Sequence, residues 1–223
     1  MKLMTQILGL SLISLSIIGC GGDTPNAKKE FEVKVINLTL AQPFSPVALV
    51  AHNDAYSLYT LGSSASEALE HLSEGGDNSE ILLTPQVHTT SGAGLILPGQ
   101  SETLSIKTKR DRHYLSLASM LVNTNDAFVG ADAIDVENFE VGMSKSYTLS
   151  SYDAGTEVNS ELASTIPGPA GGGEGFNEER NDTNFVSVHS GVITADDGLS
   201  SSALNNTHKW DNPTAKIIIT RVR

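Results

Sequence analysis

An all-β fold, a sandwich or barrel of antiparallel strands with one short helix, is what this sequence predicts. Three observations carry that prediction. Apolar and polar residues alternate over many short stretches, the pattern of half-buried strands. Clusters of Gly, Pro, Asn and Asp punctuate those stretches, as turns between strands require. A helical spacing of apolar residues stands out in a single segment, whereas a βαβ protein would repeat it between strands.

The elements follow in order. Phe31, Val33 and Val35 alternate with Glu32 and Lys34, which predicts a first strand. The apolar phase then moves to Ile36, Leu38 and Leu40, which predicts a bulge, because a one-residue slip exchanges the two faces. Residues 46–51 form an apolar run bounded by prolines and read as a second strand. The helix is expected near 65–74: Ser64 and Glu67 have the spacing of a capping box, Ala65, Ala68, Leu69 and Leu72 form one stripe, and Gly75-Gly76 supplies the stop. Further strands are expected at 81–87, 95–97, 102–108, 114–122, 136–141, 146–152, 185–193 and 214–222. The last is the clearest, with Ala215, Ile217 and Ile219 set against Lys216 and Thr220. Residues 166–184, rich in Gly and Pro, form a long excursion without a pattern of their own.

Residues 1–19 read as a cleavable export signal. Lys2 supplies a positive start, and the apolar run 7–18 is shorter than the roughly 20 residues a membrane span needs. The run ends in Ile17-Ile18-Gly19-Cys20, which resembles the lipobox of bacterial lipoproteins. That resemblance implies a diacylglyceryl thioether on Cys20, cleavage before it and acylation (commonly palmitate) of the new amine. Gly21, where aspartate would signal inner-membrane retention, points to delivery to an outer membrane, facing the periplasm or the cell surface. Residues 20–30 then form the lipidated cysteine and a polar tether, which extended spans about 30 Å. The folded domain is expected to occupy 31–223.

Composition narrows the function. The formal net charge is −12, which excludes the basic footprint that nucleic-acid binding needs. It also opposes docking on anionic lipid, so membrane attachment rests on the acyl chains. Cys20 is the only cysteine, so no intrachain disulfide staples the domain and its core must hold it.

Two acidic loops follow predicted strands. One is Thr124-Asn125-Asp126-Ala127-Phe128-Val129-Gly130, the other Tyr152-Asp153-Ala154-Gly155-Thr156-Glu157-Val158-Asn159. Gly155 allows a turn tight enough for Asp153 and Glu157 to face one point. Hard oxygen donors with carbonyls between them suit calcium, although acidic turns that are merely solvated share this composition. His189 reads as a core histidine near these loops, and Trp210 as an anchor before the last strand.

Several segments resemble the spondin N-terminal domain family, in its bacterial branch. They are Phe31-Glu32-Val33-Lys34-Val35-Ile36-Asn37-Leu38-Thr39, Gln42-Pro43-Phe44-Ser45-Pro46, the two acidic loops, and Trp210-Asp211-Asn212-Pro213-Thr214-Ala215. In order and spacing the resemblance spans residues 31–223. It implies an antiparallel β-sandwich like that of calcium-dependent membrane-binding domains, with calcium at loops on one end and a role in adhesion or recognition. Carried over residue by residue, it places Asp126, Asp153 and Glu157 as metal ligands for Ca2+. The family's animal members usually have aspartate where this chain has Glu157, and an aromatic residue where it has Ala127. The partner implied is a protein or glycan, but the resemblance transfers no particular one.

Enzyme classes fit poorly. The one thiol is committed to the anchor, and neither a G-x-S-x-G elbow nor a phosphate loop is present. Asp153 and Glu157 as a glycosidase pair would need an aromatic cleft, and the chain is only 5% aromatic. A structural envelope protein without a specific ligand is the alternative from another class, and a carboxylate-dependent hydrolase the third.

Overall fold

The computed structural model describes residues 28–109 and 111–223, so the signal, Cys20 and most of the tether lie outside the described residues. The first strand, β1 (Lys29–Asn37), buries Phe31, Val33 and Val35 on one face. It is central in a four-stranded sheet with β4 (Ser101–Thr108), β10 (Ala215–Arg221) and β7 (Ser144–Leu149), in the order β4-β1-β10-β7. A six-stranded sheet has the order β3-β2-β5-β6-β8-β9: His88–Ser91, Ala48–His52, Tyr114–Met120, Ala127–Asp135, Ser151–Asp153 and Ser187–Val188. All pairings are antiparallel. The expected antiparallel β-sandwich is therefore the observed fold.

Between the sheets, Phe31, Val33, Val35, Leu104, Ile106, Ile217 and Ile219 meet Leu49, Leu115, Leu117 and Val129 in the main core. The outer face of the six-stranded sheet is covered as well. The helix α1 (Glu67–Gly75) sets Leu69 and Leu72 over Ala48, Val50, Ala118 and Phe128. Burial on both faces explains why β2 reads as a continuous apolar run, whereas β1 and β10 alternate. Ser66 caps α1 by accepting the Leu69 amide at 3.2 Å, and Gly76 closes it at φ 70°.

Several expectations are corrected. The N-cap is Ser66, not Ser64, whose hydroxyl donates instead to the Asn184 carbonyl. No bulge interrupts β1: its register runs unbroken to Asn37, and Leu38 and Leu40 are exposed loop residues. The irregularity lies between Leu115 and Leu117 of β5. Residues 81–87 are not a strand; a short helix α2 (Ser79–Leu82) and a turn precede β3. Residues 95–97 contribute one isolated bridge, Phe44 to Ile96. The strand expected at 136–141 is instead β6, just upstream, where Gly130 and two acids, Asp132 and Asp135, masked the pattern. The Gly130 Cα sits so close to the Leu117 carbonyl and the Tyr59 and Phe128 rings that an added Cβ would lie about 3 Å from them, so close strand packing calls for glycine there. The run 146–152 is divided: β7 belongs to one sheet and β8 to the other. Of 185–193 only Ser187–Val188 pairs.

The strand ends define two poles. At one pole β1 ends at Asn37, whose side chain donates to the Gln42 and Ile96 carbonyls, while Val122 donates to the Pro43 carbonyl and Ser45 to the Met120 carbonyl. The turns before β6 and after β8 lie at this pole. At the other pole β1 begins, with Phe31 opposite Arg221.

Candidate metal centre

The turn joining β5 to β6 is built by Thr124, whose hydroxyl donates to the Leu121 carbonyl at 2.6 Å and accepts the Ala127 amide at 3.1 Å. This places Asp126 one residue before β6. Across the ladder Ala127 pairs with Asp153, so the register makes Asp126 and Asp153 diagonal neighbours at the rim. After Asp153 the chain reverses through Gly155 at φ 71°. A Cβ at Gly155 would meet the Phe185 carbonyl oxygen at 2.4 Å, so both the turn and the neighbouring segment demand glycine. The reversal returns Thr156 and Glu157 over Asp126.

The hydrogen bonds are one-sided. Asp126 Oδ2 accepts the Thr156 amide at 2.8 Å, the Thr156 hydroxyl at 3.2 Å and the Glu157 amide at 3.1 Å. Asp126 Oδ1, in a fully buried residue, has no partner. Asp153 Oδ1 accepts the Gly155 amide and Oδ2 the Asn159 side-chain amide, at 2.8 and 2.7 Å. Glu157 is 5% exposed and its Oε2 is unpartnered, as is Asn125 Oδ1. Burial, and then the charge of Asp153, raise the Asp126 carboxyl well above the usual range. Burial followed by repulsion from Glu74 and Glu174 pushes Glu157 up to about 7, against a hydrogen bond from Asn125. Three buried acceptor oxygens without donors, beside acids that resist ionising, are electrostatically frustrated. A cation would relieve that frustration, so the donor set fits a hard divalent ion.

The three acids do not form the tightest constellation of ligand atoms. Among the described residues, the groups whose ligand atoms all lie within 4.8 Å of one another are Glu67, His71 and Glu80, and His113, Asp135 and Glu137. Asp153 in particular spends both oxygens on its own loop, so its participation would replace the Asn159 or Gly155 contact.

Other residues joined the site without a sequence signal. Glu74, 1% exposed at the end of α1, accepts the Asn177 amide at 2.9 Å. Glu70, one turn earlier, pairs with Arg180 from the 166–184 excursion, whose guanidinium also reaches the Ala65 carbonyl. His189 is indeed a buried histidine: Nδ1 accepts the Gly191 amide at 2.9 Å, Nε2 has no partner, and burial lowers its pKa against the pull of Asp153. Trp210 is the expected anchor, donating to the Ser151 hydroxyl at 2.8 Å and packing beside His189.

A family model, Spondin_N, matches residues 33–167. The chain belongs to the Spondin_N family. The matched range runs from within β1 through β8, includes both acidic turns, and stops short of the Trp210 segment and β10. Since β10 pairs with β1 along its whole length, the spondin sandwich of this chain extends beyond the matched range. No curated protein matches the sequence. Membership supports an extracellular, adhesion-type module. Among the described residues no helix is long and apolar enough to cross a membrane.

Proposed function

We propose that this chain is a cell-envelope lipoprotein whose spondin domain binds Ca2+ through Asp126, Asp153 and Glu157 and acts as an adhesion or recognition module. The observation that carries the metal is the set of buried, donorless oxygens on Asn125, Asp126 and Glu157. Calcium takes six to eight oxygen ligands, and carboxylates mixed with amide and backbone oxygens are its usual environment. The ion would neutralise the acids and lock the two turns and the segment after β8 into one surface. The metal is structural in this reading, and the domain binds rather than catalyses. A groove of about 430 Å³ lined by Tyr59, Asp132, Tyr147 and Tyr152 includes none of the three acids, which argues against the hydrolase alternative. Attachment would come from lipid on Cys20, with the partner a protein or glycan.

Calorimetry of the purified chain, washed with chelator and then titrated with Ca2+, tests the metal. A calcium-linked rise in Tm that Asp153→Asn removes is expected. An unchanged Tm in saturating calcium would sink the reading. Mass spectrometry of the protein recovered from membranes tests the anchor: an acylated N-terminal Cys20 supports it, and an intact or differently cleaved N-terminus overturns it.

A further inference from the structure

A second set of ligating side chains lies on the helical layer. Glu67 and His71 are one turn apart on α1, so they project from the same face. Glu80 reaches them from the start of α2. One ligand atom from each lies within 4.8 Å of the other two. His71 Nε2 and Glu80 Oε1 are 3.6 Å apart, too far for a hydrogen bond. The pair is at ion-pair range, so a cation between them would take the place of the proton on His71.

The arrangement is held from several sides. Phe176, from the 166–184 excursion, stacks on the imidazole with ring centroids 3.7 Å apart and planes 19° from parallel. Asp77 links the helices: its amide donates to the His71 carbonyl and its carboxylate accepts the Ser79 amide at 2.9 Å. The Ser66 and Gly76 caps fix the length of α1. The imidazole is thus oriented in advance, while the two glutamates keep the freedom to close on an ion. Zinc bonds to nitrogen and carboxylate oxygen at about 2.0–2.2 Å, so its tetrahedral ligands sit roughly 3.5 Å apart. Movement of the outer glutamate rotamers by about an ångström achieves this. The other such group, His113, Asp135 and Glu137, is less suited: Asp135 already accepts the Glu137 amide, and the Lys29 ammonium sits on the Glu137 carbonyl.

We propose that Glu67, His71 and Glu80 form a site for a borderline divalent cation of the zinc type, with a fourth position open to water or to a side chain of a partner. One nitrogen and two carboxylates suit zinc and disfavour calcium, which prefers an all-oxygen shell. The site shares no residue with the calcium centre proposed above and stands whether or not that centre binds.

Zinc chloride titrated into the calcium-saturated purified chain, followed by calorimetry, tests it, with cobalt absorption as a report of coordination. One zinc per chain is expected, weakened at least about tenfold by His71→Ala and by Glu80→Gln, and unchanged by Asp153→Asn. The melting temperature of each variant without metal shows that it is folded. Zinc binding that persists in His71→Ala, disappears in Asp153→Asn, or is absent from the unaltered chain overturns the proposal.

Discussion

Asp126 Oδ2 receives both the amide of Thr156, at 2.8 Å, and its hydroxyl, at 3.2 Å, while the other carboxyl oxygen of Asp126 meets no donor. Glu157 and Asn125 beside it also keep a buried oxygen without a donor, so the rim is short of positive charge. That shortage can be filled by a proton or by a cation.

Filling it with protons gives a pH signature. Glu157 rises from 4.5 in the unfolded chain to about 7 in the fold, and Asp126 rises as well. Between those values the folded state holds more protons than the unfolded one, so stability falls as pH rises. The chelator-treated protein is expected to melt at a higher temperature at pH 5 than at pH 7.5 from these groups. Calcium should raise Tm more at pH 7.5 than at pH 5. Equal calcium shifts at both values would contradict the account.

Gly155→Ala should cost at least about 2 kcal/mol, because it combines a left-handed φ with a backbone collision. Urea denaturation measures the loss. Since Thr156 and Glu157 hang on this turn, the calcium-dependent rise in Tm should shrink in the same variant.

Arg180→Ala strands Glu70, a residue 4% exposed. Removing one partner of a buried pair commonly costs about 3–5 kcal/mol; the partly exposed guanidinium reduces this to roughly 2 kcal/mol. Chemical denaturation of the single variant and of Glu70→Met/Arg180→Met separates the causes. The double variant should recover most of the loss, and a double variant as weak as the single one would show that the pair itself stabilises.

Phe128→Ala should cost about 3–5 kcal/mol. This fully buried ring lies between α1 and the six-stranded sheet, edge-on to Tyr59. A loss below about 1 kcal/mol, read from the denaturation midpoint, would mean that the helical layer adds little to the fold.

Strands with one wet face were legible in the sequence: β1, β4 and β10 appear where alternation places them, because their period of two reports a single buried face. The segment 127–135 hid in plain composition. β6 carries Gly130 for close packing and bears its acids toward its far end, so it looked like a loop. The helix was visible from its stripe and its glycine stop, but Ser64 and Ser66 are both plausible caps, and only the packed structure assigns the role. Asp126, Asp153 and Glu157 gather at one rim because register brings residues 126 and 153 together and Gly155 folds 157 back. Glu70 and Glu74 carry no local signal, and His71 reads as one of six scattered histidines without metal-ligand spacing, because their roles depend on where residues 176–180 land. No local pattern encodes that landing.

The poles of the sandwich have a mechanical consequence. Lys29 begins β1 at the pole opposite the acidic turns, and β1 lies between β4 and β10 from Phe31 to Ile36. A pull exerted between the N-terminal end of β1 and the acidic rim would run parallel to the strands. The ladder hydrogen bonds lie across that direction, so they would resist sliding together instead of parting one after another. A module loaded in this way would yield late under traction.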